Sequence, residues 1–208
     1  MAAGKDTRDQ IMRAGEALFS QSGFRGVSMR DIAKAADTQV GSITYHFESK
    51  EGLLLSIYRR NCGPMNERRA ELLREAERIK DIDQRLEAIV RAWVLPALSS
   101  NADLVGGGAR FARLRAKMSA EGNEAVRDVI ATIFDETSHA LIDAIGRCLP
   151  ALARPTIVWR CHFLLGALYY TLIDPDRINR LSQGEADGND MKEALEQLVM
   201  ATVGMLRS

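Results

Sequence analysis

The sequence predicts an all-α protein of about nine helices: a small N-terminal three-helix unit followed by a larger helical C-terminal unit. Two observations carry that expectation. Aromatic and β-branched residues are sparse over the 208 residues, while the helix formers Ala, Leu, Arg and Glu abound. Apolar residues recur three and four apart in segment after segment, and no run alternates convincingly with the period of a strand.

Residues 7–22 form an amphipathic helix, with Ile11, Ala14 and Leu18 on its inner face and Ala17 and Phe19 half a turn away; Gly23 ends it. Ser28 opens the second helix as N-cap, Asp31 completes a capping-box pair, and Ile32, Ala33 and Ala36 give a small apolar face. Asp37-Thr38 interrupts this helix, and Thr38 is placed to cap the third, in which Ile43 and Phe47 face inward. Ser49 caps a fourth helix running from Lys50 to about Asn61. Gly63-Pro64 punctuates it, because proline lacks a donor and disfavours helix just before itself. Residues 65–80, dense in Arg and Glu, resume as a helix, on the same axis or a kinked one. Further helices follow over 84–98, 109–118, 122–148, 155–173 and 191–206, and a loop rich in Asp, Gly and Asn fills 174–190. The 155–173 helix is apolar nearly all round, which assigns it to the interior or to a subunit interface.

Lys plus Arg and Asp plus Glu both number 28, so any nucleic-acid contact rests on a local basic footprint rather than on net charge. Cys62, Cys148 and Cys161 show no C-x-x-C spacing, which points to a reducing compartment. The first residues carry no apolar export segment, and no apolar run approaches the ~18 residues of a membrane span. The expectation is a cytoplasmic protein without a membrane partner. His46, His139 and His162 accompany no nucleophile signature, and Cys148, Cys161 and His162 lack metal-ligand spacing. No catalytic centre, metal or cofactor is therefore expected. Gly106-Gly107-Gly108 reads as an anion nest or a flexible helix start, with no P-loop lysine beside it.

The stretch from Ser28 to Leu54 carries the chemistry. The outer surface of the third helix is polar and weakly charged: Gln39, Ser42, Thr44, Tyr45 and His46. An ordinary surface helix would carry more Lys and Glu; this face suits a major-groove reader held by a preceding helix. Arg30 has the chemistry to read a guanine edge, and Lys50, in the first turn of the fourth helix, to meet a phosphate. Tyr45 and His46 are base contacts or caps over the helix, Val40 is core or a thymine-methyl contact, and Arg8 and Arg25 are phosphate contacts or solvated.

Met29, Arg30, Asp31, Ile32, Ala33, Ala36, Gly41, Ile43, His46, Phe47, Ser49, Lys50 and Leu53 reproduce, without a gap, a pattern that resembles the helix-turn-helix of TetR-type transcriptional regulators. Asp37 departs from the usual glycine but tolerates a left-handed backbone, and Thr44-Tyr45 shifts the usual aromatic by one residue. The resemblance implies a DNA-binding domain at 1–52 and a ligand-binding and dimerisation domain at 53–208. It implies a homodimer on a palindromic double-stranded operator, released or engaged by a small-molecule effector. The interface is expected in the last two long helices, at Phe163, Leu164, Leu165, Leu168, Leu195, Leu198, Val199 and Thr202. The pocket is expected among Trp93, Phe111, Phe134, His139, Trp159, His162 and Tyr169, with Arg110 and Arg113 meeting an anionic head group. That lining suits a fatty-acyl or other lipophilic anion. A helical binding protein or an enzyme without DNA function is the alternative, and it leaves the polar face of Ser42–His46 unexplained.

Overall fold

A computed structural model describes residues 2–99 and 108–208, which hold ten α-helices and no strand. They are α1 (Ala2–Ser22), α2 (Met29–Ala35), α3 (Val40–Phe47), α4 (Lys50–Glu77), α5 (Ile82–Leu98), α6 (Gly108–Ala120), α7 (Glu124–Cys148), α8 (Arg154–Ile173), α9 (Asp176–Leu181) and α10 (Met191–Arg207). The short α9 lies inside the span expected to be loop. Gly106 and Gly107 lie outside the described residues, and Gly108 begins α6.

The break expected at Gly63-Pro64 does not occur: α4 is one helix of 28 residues with Pro64 inside it. The lost donor falls on the solvated side, where Gly63 is exposed and Pro64 half-buried. An interior proline costs about 3 kcal/mol. Around the rest of the helix Ile57, Tyr58, Cys62 and Met65 are buried. Each such side chain gains about 1.5–3 kcal/mol on burial, so tertiary packing outweighs the local penalty.

Two apolar cores organise the chain. The first joins Ile11, Phe19, Ile32, Ile43, Phe47 and Leu53 to Phe111, Leu114, Met118 and Phe134. The α1–α3 unit is thus packed into α4, α6 and α7 rather than hanging from a linker. On α1 the inward residues are Ile11, Met12 and Phe19, while Ala17 is exposed. The second core gathers α5, α7, α8 and α10 around Val90, Val94, Ile145, Leu164, Leu168, Val199 and Leu206.

That second core corrects the interface residues. Leu164, Leu168, Leu195, Leu198, Val199 and Thr202 are buried within the chain itself, and Leu165 is half-buried. The outward side of α8 is instead Val158, Trp159, Phe163, Tyr170 and Ile173, with Met200 exposed on α10. A helix apolar on every side gives no periodicity from which to choose its inner face. α8 is 20 residues long, and its mean hydropathy of 1.2 meets the length and composition of a membrane span, although Arg160 interrupts its apolar run. Arg160, within it, donates to the Leu206 carbonyl at 3.0 Å and fastens α8 to the end of α10.

Candidate nucleic-acid interface and buried cavity

The helix-turn-helix is built from local bonds. The Ser28 hydroxyl accepts from the Asp31 N–H at 3.2 Å, and the Asp31 carboxylate accepts from the Ser28 N–H at 2.8 Å and the hydroxyl at 2.6 Å. These bonds, the hydroxyl's first and the backbone's second, hold the Asp31 carboxyl below its usual pKa. α2 closes with Thr38 N–H donating to Ala33 O at 2.9 Å and with Asp37 at φ 49°, the left-handed backbone anticipated there. The N-cap of α3 is Gln39 rather than Thr38, and its side chain makes no capping bond.

On α3, Ile43 and Phe47 are buried against α1, α2 and α4. The remaining surface divides as the sequence suggests. Gln39, Thr44 and Tyr45 are exposed, Ser42 and His46 half-buried, and Tyr45 retains 84% of its surface. The Tyr45 and His46 rings meet edge to face at 5.1 Å. Val40 is 38% exposed and so lies outside the core, and Arg30 is exposed on α2. A rigid short helix thereby presents hydroxyl, amide and imidazole groups outward, the chemistry needed at base edges in a major groove.

Lys50, expected at a phosphate, and Arg8, read as a phosphate contact or solvated, both engage the protein. The Lys50 ammonium donates to the carbonyls of Phe24 and Val27, both at 2.9 Å, and lies 4.2 Å from the Phe24 ring centroid. It ties the α1–α2 turn to the start of α4. The Arg8 guanidinium stacks over Phe47 at 5.1 Å. Arg25 keeps an exposed side chain while its N–H donates to Glu121 at 3.1 Å. Gly52 is obligatory in this corner, since a Cβ there would lie 2.0 Å from the Phe47 carbonyl oxygen.

The residues expected in a pocket do not converge. Phe111 and Phe134 are buried core, with Phe111 edge-on to Tyr58 at 5.1 Å. Trp159 is 61% exposed and packs on Phe163. Arg113 is exposed, and the side chain of Arg110 lies outside the described residues. His139 and His162 line a shallow groove of about 380 Å³ with Trp93, Arg154 and Leu165. Trp93 also lines a more apolar cavity of about 190 Å³, with Arg69, Leu73, Ile89, Ala92, Thr137 and Leu141.

Sequence reasoning missed the arginines of this region. Arg69 is 4% exposed and Arg115 6% exposed, and among the described residues neither forms a salt bridge. Arg69 donates to the Trp93 carbonyl at 3.2 Å and stacks on the Trp93 ring at 4.0 Å, but its Nη1 has no partner. Arg115 lies 3.5 Å over Phe134, with its Nε unpartnered. Burying a cation costs several kcal/mol, and an aromatic face returns about 2 kcal/mol. Burial first, then the Arg115 charge, lower the Arg69 pKa to about 9. Helical spacing could have revealed both: Arg69 falls on the stripe of Cys62, Met65 and Ala76, and Arg115 on that of Phe111, Leu114 and Met118.

The fold and its exposed α3 define a helix-turn-helix protein of the all-α regulator class. Residues 11–57 match the family description "Bacterial regulatory proteins, tetR family", and residues 91–205 match "Tetracyclin repressor-like, C-terminal domain". The chain belongs to the TetR family of transcriptional regulators, a DNA-binding family without enzymatic activity. The NemR repressor of Escherichia coli K12 is 33% identical over 72 residues, 35% of this chain and 36% of that one. Among the curated relatives, the matched stretch spans from 23% to 60% of their length. A regulator from Saccharomonospora viridis solved with choline superposes at a TM-score of 0.64, with 19% identity over 94% of this chain and 96% of that one. FadR of Bacillus subtilis, solved with stearoyl-CoA, superposes at 0.60, with 18% identity over 91% of this chain and 96% of that one. At that identity the likeness is one of fold. The fold accommodates a small cation in one protein and a long acyl thioester in the other, so it does not choose the ligand.

Proposed function

We propose that the protein is a ligand-responsive repressor that binds a palindromic operator as a homodimer in the cytoplasm. Residues 1–52 serve as the reading head and residues 53–208 bind the effector and the second subunit. The observation that carries this reading is the polar, solvent-facing surface of α3 on an apolar footing, with Tyr45 84% exposed. Arg30, Gln39, Ser42, Thr44, Tyr45 and His46 are the proposed base and phosphate contacts.

The exposed side of α8 supports the homodimer. Trp159, Phe163, Tyr170 and Ile173 recur at helical spacing, each more than half exposed. They form an apolar face that a monomer would leave in water. The proposed dimer presents its two α3 helices to half-sites about 34–36 Å apart. The proposed effector is a lipophilic anion, the class to which the stearoyl-CoA bound by FadR belongs.

Footprinting on the DNA flanking the protein's own gene tests the reading. A salt-sensitive, symmetric protected site is the expected result, with log affinity falling linearly in log salt. Absence of any sequence-preferring protection overturns it.

A further inference from the structure

We propose that Arg69 and Arg115 form an anion-binding seat inside the effector domain, and that the effector is a compact organic carboxylate whose apolar body lies against Leu73, Ile89, Trp93 and Leu141. This rests on the regulator reading above and names the ligand class and the residues that hold it.

Five buried polar side-chain atoms lack partners among the described residues: one acceptor, Asn66 Oδ1, and four groups able to donate, Arg69 Nη1, Arg115 Nε and the hydroxyls of Tyr58 and Tyr169. The Tyr169 hydroxyl faces Ser119 without completing a hydrogen bond. Buried polar atoms are nearly always satisfied in native proteins, so a concentration of orphans marks a place where something else binds. The four can all donate and two of them are cationic, so the partner that suits them is an acceptor carrying negative charge. The groups are near one another. Both arginine charges act on Tyr169 and on Cys62, and Arg115 is the charge that most disfavours protonated Arg69. With a pKa of about 9, Arg69 is still cationic at neutral pH. The structure thus holds two buried like charges that no carboxylate compensates among the described residues: Arg69 has the Trp93 carbonyl and ring, and Arg115 the rings of Phe134 and Tyr169. A bound anion would relieve both burial and mutual repulsion.

Size and shape narrow the ligand. The cavity beside Arg69 has a volume of about 190 Å³. An apolar cavity of about 150 Å³ accepts benzene, whereas drug-sized ligands take roughly 300–1,000 Å³. The space therefore suits one ring or a short branched chain. Its inner wall is Ile89, Trp93 and Leu141, all buried, and its mouth opens at the exposed Arg74 and Ala140. Arg115 borders a second groove, on the α8 side, with Ser119 and Tyr169. The carboxylate sits between the two arginines, and the apolar body points from Arg69 towards the mouth.

Thermal unfolding of the full chain tests this with benzoate, cinnamate and hexanoate at constant ionic strength, against benzyl alcohol and chloride. At least one carboxylate should raise the melting temperature by roughly 2–4 °C, with benzyl alcohol and chloride giving no such rise. Arg69→Met and Arg115→Met should fold, melt no lower than the parent, and bind the active carboxylate at least tenfold more weakly by calorimetry. Ala140→Trp, which leaves both arginines in place and plugs the mouth, should also remove the shift. The seat is refuted if no carboxylate stabilises the protein, if benzyl alcohol stabilises it equally, or if the shift survives in both arginine variants. If those variants do not fold, a shift that survives Ala140→Trp refutes it. Operator binding is measured in parallel without carboxylate. Intact DNA binding with no carboxylate effect defeats this inference alone, whereas loss of all DNA binding defeats the regulator reading.

Discussion

Replacing Lys50 by methionine separates a structural lysine from a DNA-contacting one. The substitution keeps most of the aliphatic stem and removes the ammonium. Two hydrogen bonds vanish, to the Phe24 and Val27 carbonyls at 2.9 Å each, along with the contact over the Phe24 ring at 4.2 Å. A hydrogen bond from a charged donor is worth about 1.5–3 kcal/mol. Lys50 is half-buried, so water recovers part of that, and a net loss of about 2 kcal/mol is the reasonable figure. For a chain of this size each kcal/mol lowers the melting temperature by roughly 2–4 °C, so Lys50→Met should melt roughly 4–8 °C lower. Far-ultraviolet dichroism reads this directly, and 0.5 M salt should change the difference little, because the partners are carbonyls and not a screened charge. Operator affinity should fall through disorder of the α1–α2 turn, with the slope of log affinity against log salt unchanged. A variant that melts like the parent but loses about 0.9 from that slope would show Lys50 on a phosphate, and the tether argument would be wrong.

Three further outcomes follow from exposure and charge. Tyr45→Ala should leave the melting temperature within about 1 °C, since Tyr45 is 84% exposed, yet weaken operator binding about tenfold, a loss of about 1–3 kcal/mol. Phe163→Glu places a charge on a half-exposed face and should give folded monomers in sedimentation, with operator affinity lost; an unchanged dimer mass places the interface elsewhere. The Asp31 carboxyl titrates lower in the folded chain than when unfolded, so its stabilisation is complete above the ordinary carboxylate pKa and disappears as pH falls through the depressed one. Asp31→Asn should flatten the part of the stability curve below about pH 4, and an identical acid limb in the variant would show that the capping box carries none of it.

What the sequence disclosed divides by range. The capping box at Ser28, the left-handed Asp37 and the inward Ile43 and Phe47 depend on neighbours within four residues, and each appears as expected. The partners of Lys50 and Arg8, which are the Phe24 and Val27 carbonyls and the Phe47 ring, were not legible because only folding brings them near. Pro64 misled because local rules omit the packing on the far side of its helix. The faces of α8 could not be ranked, since nearly every residue on it is apolar; only the positions of α5, α7 and α10 decide that Leu164 and Leu168 point inward and Trp159 and Phe163 outward. Arg69 and Arg115 were legible by spacing but were passed over, because an arginine in a charged stretch reads as solvated surface until its neighbours on the same stripe are examined.

The two helices that carry the buried arginines are also the two that grip the reading head. α4 holds Arg69 and, at its first residue, Lys50, which clasps the carbonyls of Phe24 and Val27. α6 holds Arg115 and Lys117, which donates to the Gln21 carbonyl; just beyond it, Glu121 accepts from Phe24 N–H at 2.8 Å and Arg25 N–H at 3.1 Å. The turn is moulded on that carboxylate: Gly23 sits at φ 75°, and a Cβ there would lie 1.7 Å from the Glu121 oxygen. If an anion seated between Arg69 and Arg115 draws α4 and α6 together, the displacement reaches the 21–27 turn from both sides, at the base of α2. An effector shifts such an equilibrium only by its difference in affinity between the two arrangements, so cutting one clasp should uncouple the sites without emptying the seat. Glu121→Ala should therefore bind the active carboxylate as the parent does in calorimetry, while that carboxylate changes operator affinity several-fold less than in the parent. If the variant keeps both its carboxylate affinity and the full response on DNA, the signal travels through α4 alone, and the Glu121 clasp only secures the turn.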